Sequence, residues 1–527
     1  MQNWKKILYA LLAVAALVLG GWRVWLWAAQ PDMCAGGVER IGRECVGVNG
    51  EGYDFGTPTI GDVSRAIADE NKKVADDPHV TVAMMLPLQS KKPSLRRQMR
   101  SDLQGAYLGQ LQANSGEGEP PKIRLVLANP GRDYAHQNRV VDSLVRMADS
   151  RKDRLRAVTG FNLSLGHTED AVRELTRHQI PVLASRISGD RIANSDRTSG
   201  KARFPGLARI IPTNHDAAQA LASFNRGKDR QDAKTVLVYD KRSDVYNQTL
   251  ADAFRGIKET GRPGPAPMSF ESSGIDETGS TGNQFTQIAN NICDSEADHV
   301  YFAGRTLHLR IFALKLAAES CKNRHYTIIS GSDAASLRQS MDRRDWRKLR
   351  GKDGEPKVTV QYAAPAHPDS WSRELSRWKA NHDGTPPQYL TEPKAALKAL
   401  RSRIESTRRQ GVRLGSTPNL EDSRTMLVYD GLVTIGTALH QAQGGAAQVP
   451  GRAEVRAQWP QLHLRHRVRG TSGLICLTNE GNPYDKPVSV VQLDPGREGS
   501  GTLKFIGLAW PTGKGQPKDC NFHDPTS

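Results

Sequence analysis

Two loops carry the side chains best suited to recognising a ligand. Residues 161–168 (FNLSLGHT) hold Asn162 and Ser164, and residues 185–191 (SRISGDR) hold Arg186 and Ser188. Hydroxyls, an amide and a guanidinium on Gly-bearing turns suit hydrogen bonding to a small polar molecule. Covalent chemistry finds no comparable support. No GxSxG elbow, HExxH zinc helix, Walker loop or dinucleotide glycine fingerprint follows a strand, and the 14 histidines are scattered. His463 and His466 lie among arginines, far in sequence from any acidic partner. No catalytic site, metal or cofactor is therefore expected.

Both loops need a frame that brings them to one place. An apolar run at Leu155, Ala157 and Val158 precedes the first, and residues 181–184 (PVLA) precede the second. Between them Ala171, Val172, Leu175 and His178 share one face of a helix that Pro181 ends. Two parallel strands joined by a helix make a right-handed crossover, so both loops leave the same sheet edge. Open parallel sheets bind ligands at that edge.

The same alternation runs through the chain. Apolar strands are expected at 80–88, 123–128, 235–239, 299–303, 326–330 and 358–362, with helices at 96–114, 137–148, 216–224, 245–260, 285–293 and 307–320. A buried helix is expected at 426–441, and strand-like runs at 488–493 and 503–508. The fold class is α/β, with doubly wound sheets, and the units divide near Pro212 into two similar lobes. At 527 residues the chain exceeds one ordinary core, which also favours two lobes.

The net charge of +17 comes mostly from scattered arginine, consistent with a solvated basic surface. No zinc-finger spacing, RNA-recognition signature or heptad-linked basic region accompanies it, so nucleic acid is not an expected partner. The dense basic stretch 394–415 reads as a solvated helix or surface insertion.

Lys5 and Lys6 precede an apolar segment, 7–29, broken only by Arg23 and carrying Trp22, Trp25 and Trp27. It is long enough to span a bilayer, and the lysines place its start in the cytoplasm. An uncleaved signal anchor over 1–30 is the first reading, a cleaved signal peptide the second. Either puts the body outside the cytoplasm. The six cysteines lack CxxC spacing, and an even set in an exported chain suggests disulfides. Proximity favours Cys34 with Cys45, Cys293 with Cys321, and Cys476 with Cys520. Residues 31–78, poor in apolar side chains, are expected to form a stalk or cysteine-stapled extension with one helix at 60–75.

Seven pieces stand in a telling order. VTVAMMLPL is followed by AVTGFNLS, IPVLASRIS, VLVYDKRSDVYNQTLADAF, VYFAGRTLHL, IISGSDAAS and LICLTNEGNPYDKPVSVVQL. This order resembles the type I periplasmic binding fold, specifically the leucine-type (branched-chain amino acid) solute-binding proteins of ABC transporters, over about residues 79–510. The resemblance implies two doubly wound lobes joined by a three-crossover hinge. Residues 79–212 with 372–450 would form lobe one, 213–371 with 470–510 lobe two, and 511–527 a tail.

It also implies a site for an amino acid-like ligand. Ser164 and Ser188 would receive its carboxylate, Asp333 its ammonium group, and the ring of Tyr246 would cover it from lobe two. Arg186 and Arg305 depart from the pattern, and point either to an anionic ligand or to a pocket filled by arginine itself. Asn162 can donate to either kind of ligand. The rival reading of these residues is structural: Ser164 and Ser188 as caps of the helices that follow them, Asp333 as the N-cap of a helix from Ala334, Tyr246 as core. The function implied is an extracytoplasmic, membrane-tethered solute receptor, with an ABC permease as its partner if it serves transport. The alternative is a membrane-anchored sensor or envelope interaction protein with the same fold.

Overall fold

The computed structural model describes residue 12 and residues 32–115, 121–194, 203–226, 234–257, 265–318, 324–350, 357–443, 449–496, 500–514 and 520–521. Apart from residue 12, the expected membrane span lies outside them. Among the described residues no helix is long and apolar enough to cross a membrane.

Two sheets organise the chain. The first has eight strands: β1 (Met33–Ala35), β2 (Val38–Ile41), β3 (Glu44–Asn49), β4 (His79–Met85), β5 (Lys122–Asn129), β6 (Leu155–Thr159), β7 (Val182–Ala184) and β8 (Leu207–Arg209). Their order is β1-β2-β3-β5-β4-β6-β7-β8. From β5 to β8 every pairing is parallel, and β4 and β6 run as near-continuous apolar stretches because helices cover both faces. The second sheet contains β9 (Thr235–Asp240), β10 (Met268–Phe270), β11 (His299–Ala303), β12 (Tyr326–Ser330) and β13 (Val358–Ala364). A separate pair, β14 (Val468–Gly470) and β15 (Gly473–Ile475), precedes β16 (Val488–Pro495) and β17 (Gly501–Ala509), which close the second sheet in the order β10-β9-β11-β12-β13-β16-β17.

The N-terminal extension is stapled by Cys34–Cys45, and it is also part of the first sheet. Its β3 pairs antiparallel with the last residues of β5, a role that three glycine-punctuated short strands conceal in the sequence. Beyond β3 the edge of β5 is satisfied by side chains. Asn71 donates to Leu125 O (2.7 Å) and accepts from Leu125 N (2.8 Å), as a neighbouring strand would. His178, expected on a buried helix face, instead ends the helix Gly166–Arg177 exposed and pairs with Glu174. Cys476–Cys520 forms as expected; Cys293 is disulfide-bonded, and Cys321 lies outside the described residues.

The chain passes between the sheets three times. After β8 the helix Asn214–Arg226 sends Ala218 and Leu221 into the second sheet's core. After β13, Ala366 and Trp371 return to the first core, which also takes Leu397 and Leu400 from the helix Gln388–Arg409 and Leu432 and Ile435 from the helix Arg424–Gln443. The third passage comes later than the sequence suggests. Val455, Trp459, Val468, Ile475 and Leu477 all pack into the first core, so the return to the second sheet falls between Leu477 and Val488. Buried groups fix this segment: Asp430 accepts from Thr471 N (2.7 Å) and Ser472 N (2.8 Å). Lys486 donates to Gly473 O (2.9 Å), and burial pushes its pKa down to about 7 against the opposing pull of Asp430.

Candidate functional site

The C-terminal ends of both parallel sheets face one cavity. From the first sheet come the loop after β6, with Asn162 and Ser164, and the loop after β7, with Arg186 and Ser188. From the second come Tyr246 at the start of the helix Val245–Arg255, Arg305 after β11, and Asp333 after β12. All seven residues expected to contact a ligand therefore line the same space. Close approach is enforced at Gly189, where a Cβ would come within 2.9 Å of both Ser164 Cβ and Val245 Cγ1.

Two ion networks dominate this space. On the first-lobe side Arg186 Nη1 donates to both oxygens of Asp102 (2.9 and 3.0 Å), and Arg424 Nη1 donates to Asp102 Oδ2 (3.2 Å). Arg424 Nη2 also reaches Gln98 Oε1 (2.7 Å) and, across the cleft, Ser336 Oγ (3.0 Å). Burial lowers the pKa of Arg186, and the neighbouring Arg424 lowers it further. Beside them Asp422 accepts from Gln339 Nε2 (2.8 Å); burial pushes its carboxyl upward, against Arg424.

On the second-lobe side Asp244 caps the helix Val245–Arg255, accepting from Tyr246 N (2.9 Å) and Asn247 N (3.2 Å). The same carboxylate takes Arg305 Nε (2.9 Å) and Nη2 (2.8 Å) as a two-point pair. The guanidinium lies 4.6 Å from the centre of the Tyr246 ring. Burial opposes its charge, but Asp244 and Asp333 outweigh burial and hold its pKa above the usual value. Tyr246 in turn accepts from Asp333 N (3.1 Å), and burial raises its pKa.

The lobes also touch directly. Ser164 O accepts from Tyr246 N (3.2 Å) and Arg305 Nη2 (3.3 Å), and Ser188 Oγ stands 3.5 Å from Ser332 Oγ. The cavity encloses about 480 Å³ including the part that opens to solvent, and leaves about 40 Å³ for the centres of water-sized molecules. At about 10–15 Å³ per water, that is room for roughly three.

Several expected residues already have protein partners. Ser164 Oγ accepts from Gly189 N (3.1 Å), and Asn162 Oδ1 accepts from the Tyr134 hydroxyl (3.1 Å). Asp333 Oδ2 accepts from Thr306 N (2.8 Å) and Thr306 Oγ1 (2.9 Å) at the start of the helix Thr306–Ala318, not from the turn at Ala334 that the capping alternative named. Arg305 serves Asp244 and is not left to read an anion. Sequence reading missed Asp102, Asp244, Asp422 and Arg424. A lone acid next to Leu103 on a buried helix face, and an arginine opening the apolar helix Arg424–Gln443, were the available signals. Ser423, also in the lining, holds φ at 66°, a left-handed conformation costly for a residue with a side chain.

No protein-family model and no curated protein matches the sequence. Solved structures do match. An ABC transporter substrate-binding protein from Desulfitobacterium hafniense in complex with Leu superposes with a TM-score of 0.53 at 15% identity, over 81% of this chain and 100% of its own. The chain has the type I periplasmic binding fold. A leucine binding protein from Thermotoga maritima gives 0.52 at 16% identity, covering 82% of this chain and 99% of its own. A solute binding protein of an ABC transporter from R. palustris, in complex with benzoate, gives 0.52 at 13%, over 82% and 97%.

Proposed function

We propose that this type I periplasmic binding chain is an extracytoplasmic solute receptor, tethered to the membrane through residues 7–29, whose lobes close on a small polar, amino acid-like ligand. One observation carries the reading: loops from both sheets, far apart in sequence, converge on one polar cavity between them. Closure about the three crossovers changes the surface offered to a partner, which for a transport receptor is an ABC permease. Proteins of similar fold hold leucine or benzoate and are named as solute-binding components, which supports a binding role over a catalytic one.

The test is thermal unfolding of the full chain against amino acids and small organic acids. A saturable rise in melting temperature with at least one of them is expected. A flat response to every compound at high excess removes the receptor reading.

One observation favours a second reading. The lobes already bond to one another and leave little free room, which fits a membrane-anchored sensor or envelope interaction protein that keeps the fold with a degenerate pocket. Permease and ATPase genes beside this one support the first reading, and a signalling neighbour supports the second.

A further inference from the structure

The cleft is not electrically uniform. On the first-lobe side two guanidiniums, Arg186 and Arg424, share the single carboxylate of Asp102, a surplus of one positive charge. Asp422, next to them, accepts from Gln339 Nε2 (2.8 Å) and the backbone N of Arg424 (3.1 Å), and among the described residues pairs with neither guanidinium. On the second-lobe side Asp244 takes Arg305 at 2.8 Å and, more loosely, Arg242 at 3.7 Å, and Asp333 lies close enough to Arg305 to help hold its charge. Asp333 Oδ2 is used by Thr306, while Oδ1 has no partner among the described residues.

Unused donors lie on the positive side. Arg424 is 6% exposed, yet its Nε is buried without a hydrogen-bond partner among the described residues. A donor left so costs about 1–3 kcal/mol, and a bound acceptor would recover it. Arg186 spends only Nη1 on Asp102, so its Nε and Nη2 have no acceptor among the described residues. Apolar surface, by contrast, is scarce: besides the Tyr246 ring, only Ile211, Ala335, Pro365 and Leu427 contribute it.

We propose that Arg186 and Arg424, clamped by Asp102, set the specificity of this cleft. They occupy the room an aliphatic or aromatic body needs, and they turn their surplus charge and free N–H groups on the carboxylate of a glycine-sized zwitterion, whose ammonium group faces Asp333. The inference rests on the receptor reading and narrows it. Space for roughly three waters admits glycine and refuses leucine and benzoate without the cleft reopening.

Calorimetric titration of the full chain in detergent with glycine, leucine and benzoate tests it. Glycine is expected to bind saturably, and leucine and benzoate at least 100-fold more weakly. The variant Arg186→Met leaves Asp102 paired with Arg424, so circular dichroism should show a retained fold. It should bind glycine at least ten-fold more weakly and narrow the gap to leucine. Leucine binding to the wild type as tightly as glycine overturns the specificity proposal and leaves the receptor reading standing. Unchanged glycine affinity in Arg186→Met overturns the role of that arginine. Silence from all three solutes and from a wider panel of amino acids and acids overturns both. Should the variant not fold, the wild-type ranking of the three solutes decides alone.

Discussion

Arg186 and Arg305 look alike in sequence, each a basic residue in a loop that follows a buried strand, yet they do different work. Arg305 grips Asp244 through two nitrogens at 2.8 and 2.9 Å, with Arg242 only at 3.7 Å from the same carboxylate, and has a ring beneath it. Arg186 shares its carboxylate with Arg424 and keeps two nitrogens unengaged. The lesson is that the number of nitrogens a carboxylate engages, more than residue type, separates the two arginines: Arg305 gives Asp244 both Nε and Nη2, and Arg186 gives Asp102 only Nη1. Substitution should break the likeness. Asp244→Ala removes a helix cap and strands Arg305, buried and charged, so a loss of about 3–5 kcal/mol in chemical denaturation is expected. Arg186→Met leaves Asp102 a partner and should cost only about 1–2 kcal/mol. Equal losses would erase the distinction.

The contrast also marks what the sequence discloses. Strand and helix alternation gave the two sheets, because each buried strand is a short apolar run between turn residues. The seven cleft residues were legible because ligand edges follow strands, and strands were visible. Their partners were not. Asp102 lies mid-helix and Arg424 lies 322 residues away from it, so only the fold joins them to Arg186. The late third crossing escaped for a related reason: β14 and β15 have three residues each, too few to show a period, and Leu477 joins the first core through packing alone. The sheet edge built by β1 to β3 was hidden by its glycines.

Asp422 sharpens the comparison through pH. Its raised pKa means the folded chain holds the proton more tightly than the unfolded one. The stability it contributes is therefore complete below the ordinary carboxylate pKa of 3.8 and declines as pH rises through the folded value. Asp422→Asn keeps an acceptor for Gln339 and removes the titration. The variant's stability should fall less than the wild type's between pH 4 and neutrality, as read from denaturation midpoints at each pH. No difference between the two pH profiles would mean that Asp422 is ionised in the fold. It would then cancel the positive surplus argued for Arg186 and Arg424.

The smallest effect belongs to the rim. Arg132 reaches across the cleft mouth to Asp276 (2.7 Å) and Glu277 (3.0 Å), distances as short as those inside, but its side chain is 51% exposed. Water and salt screen such a pair, so Arg132→Ala should change stability by at most about 1 kcal/mol. Its effect, unlike that of Asp244→Ala, should shrink further as salt is raised to molar strength. Because the contact joins the two lobes, the change should appear as a shift between open and closed forms, seen as a small rise in the radius of gyration by X-ray scattering at low salt. A loss as large as that from Asp244→Ala would mean that closure is carried by the rim, and the interior networks would then only fill the space that closure leaves.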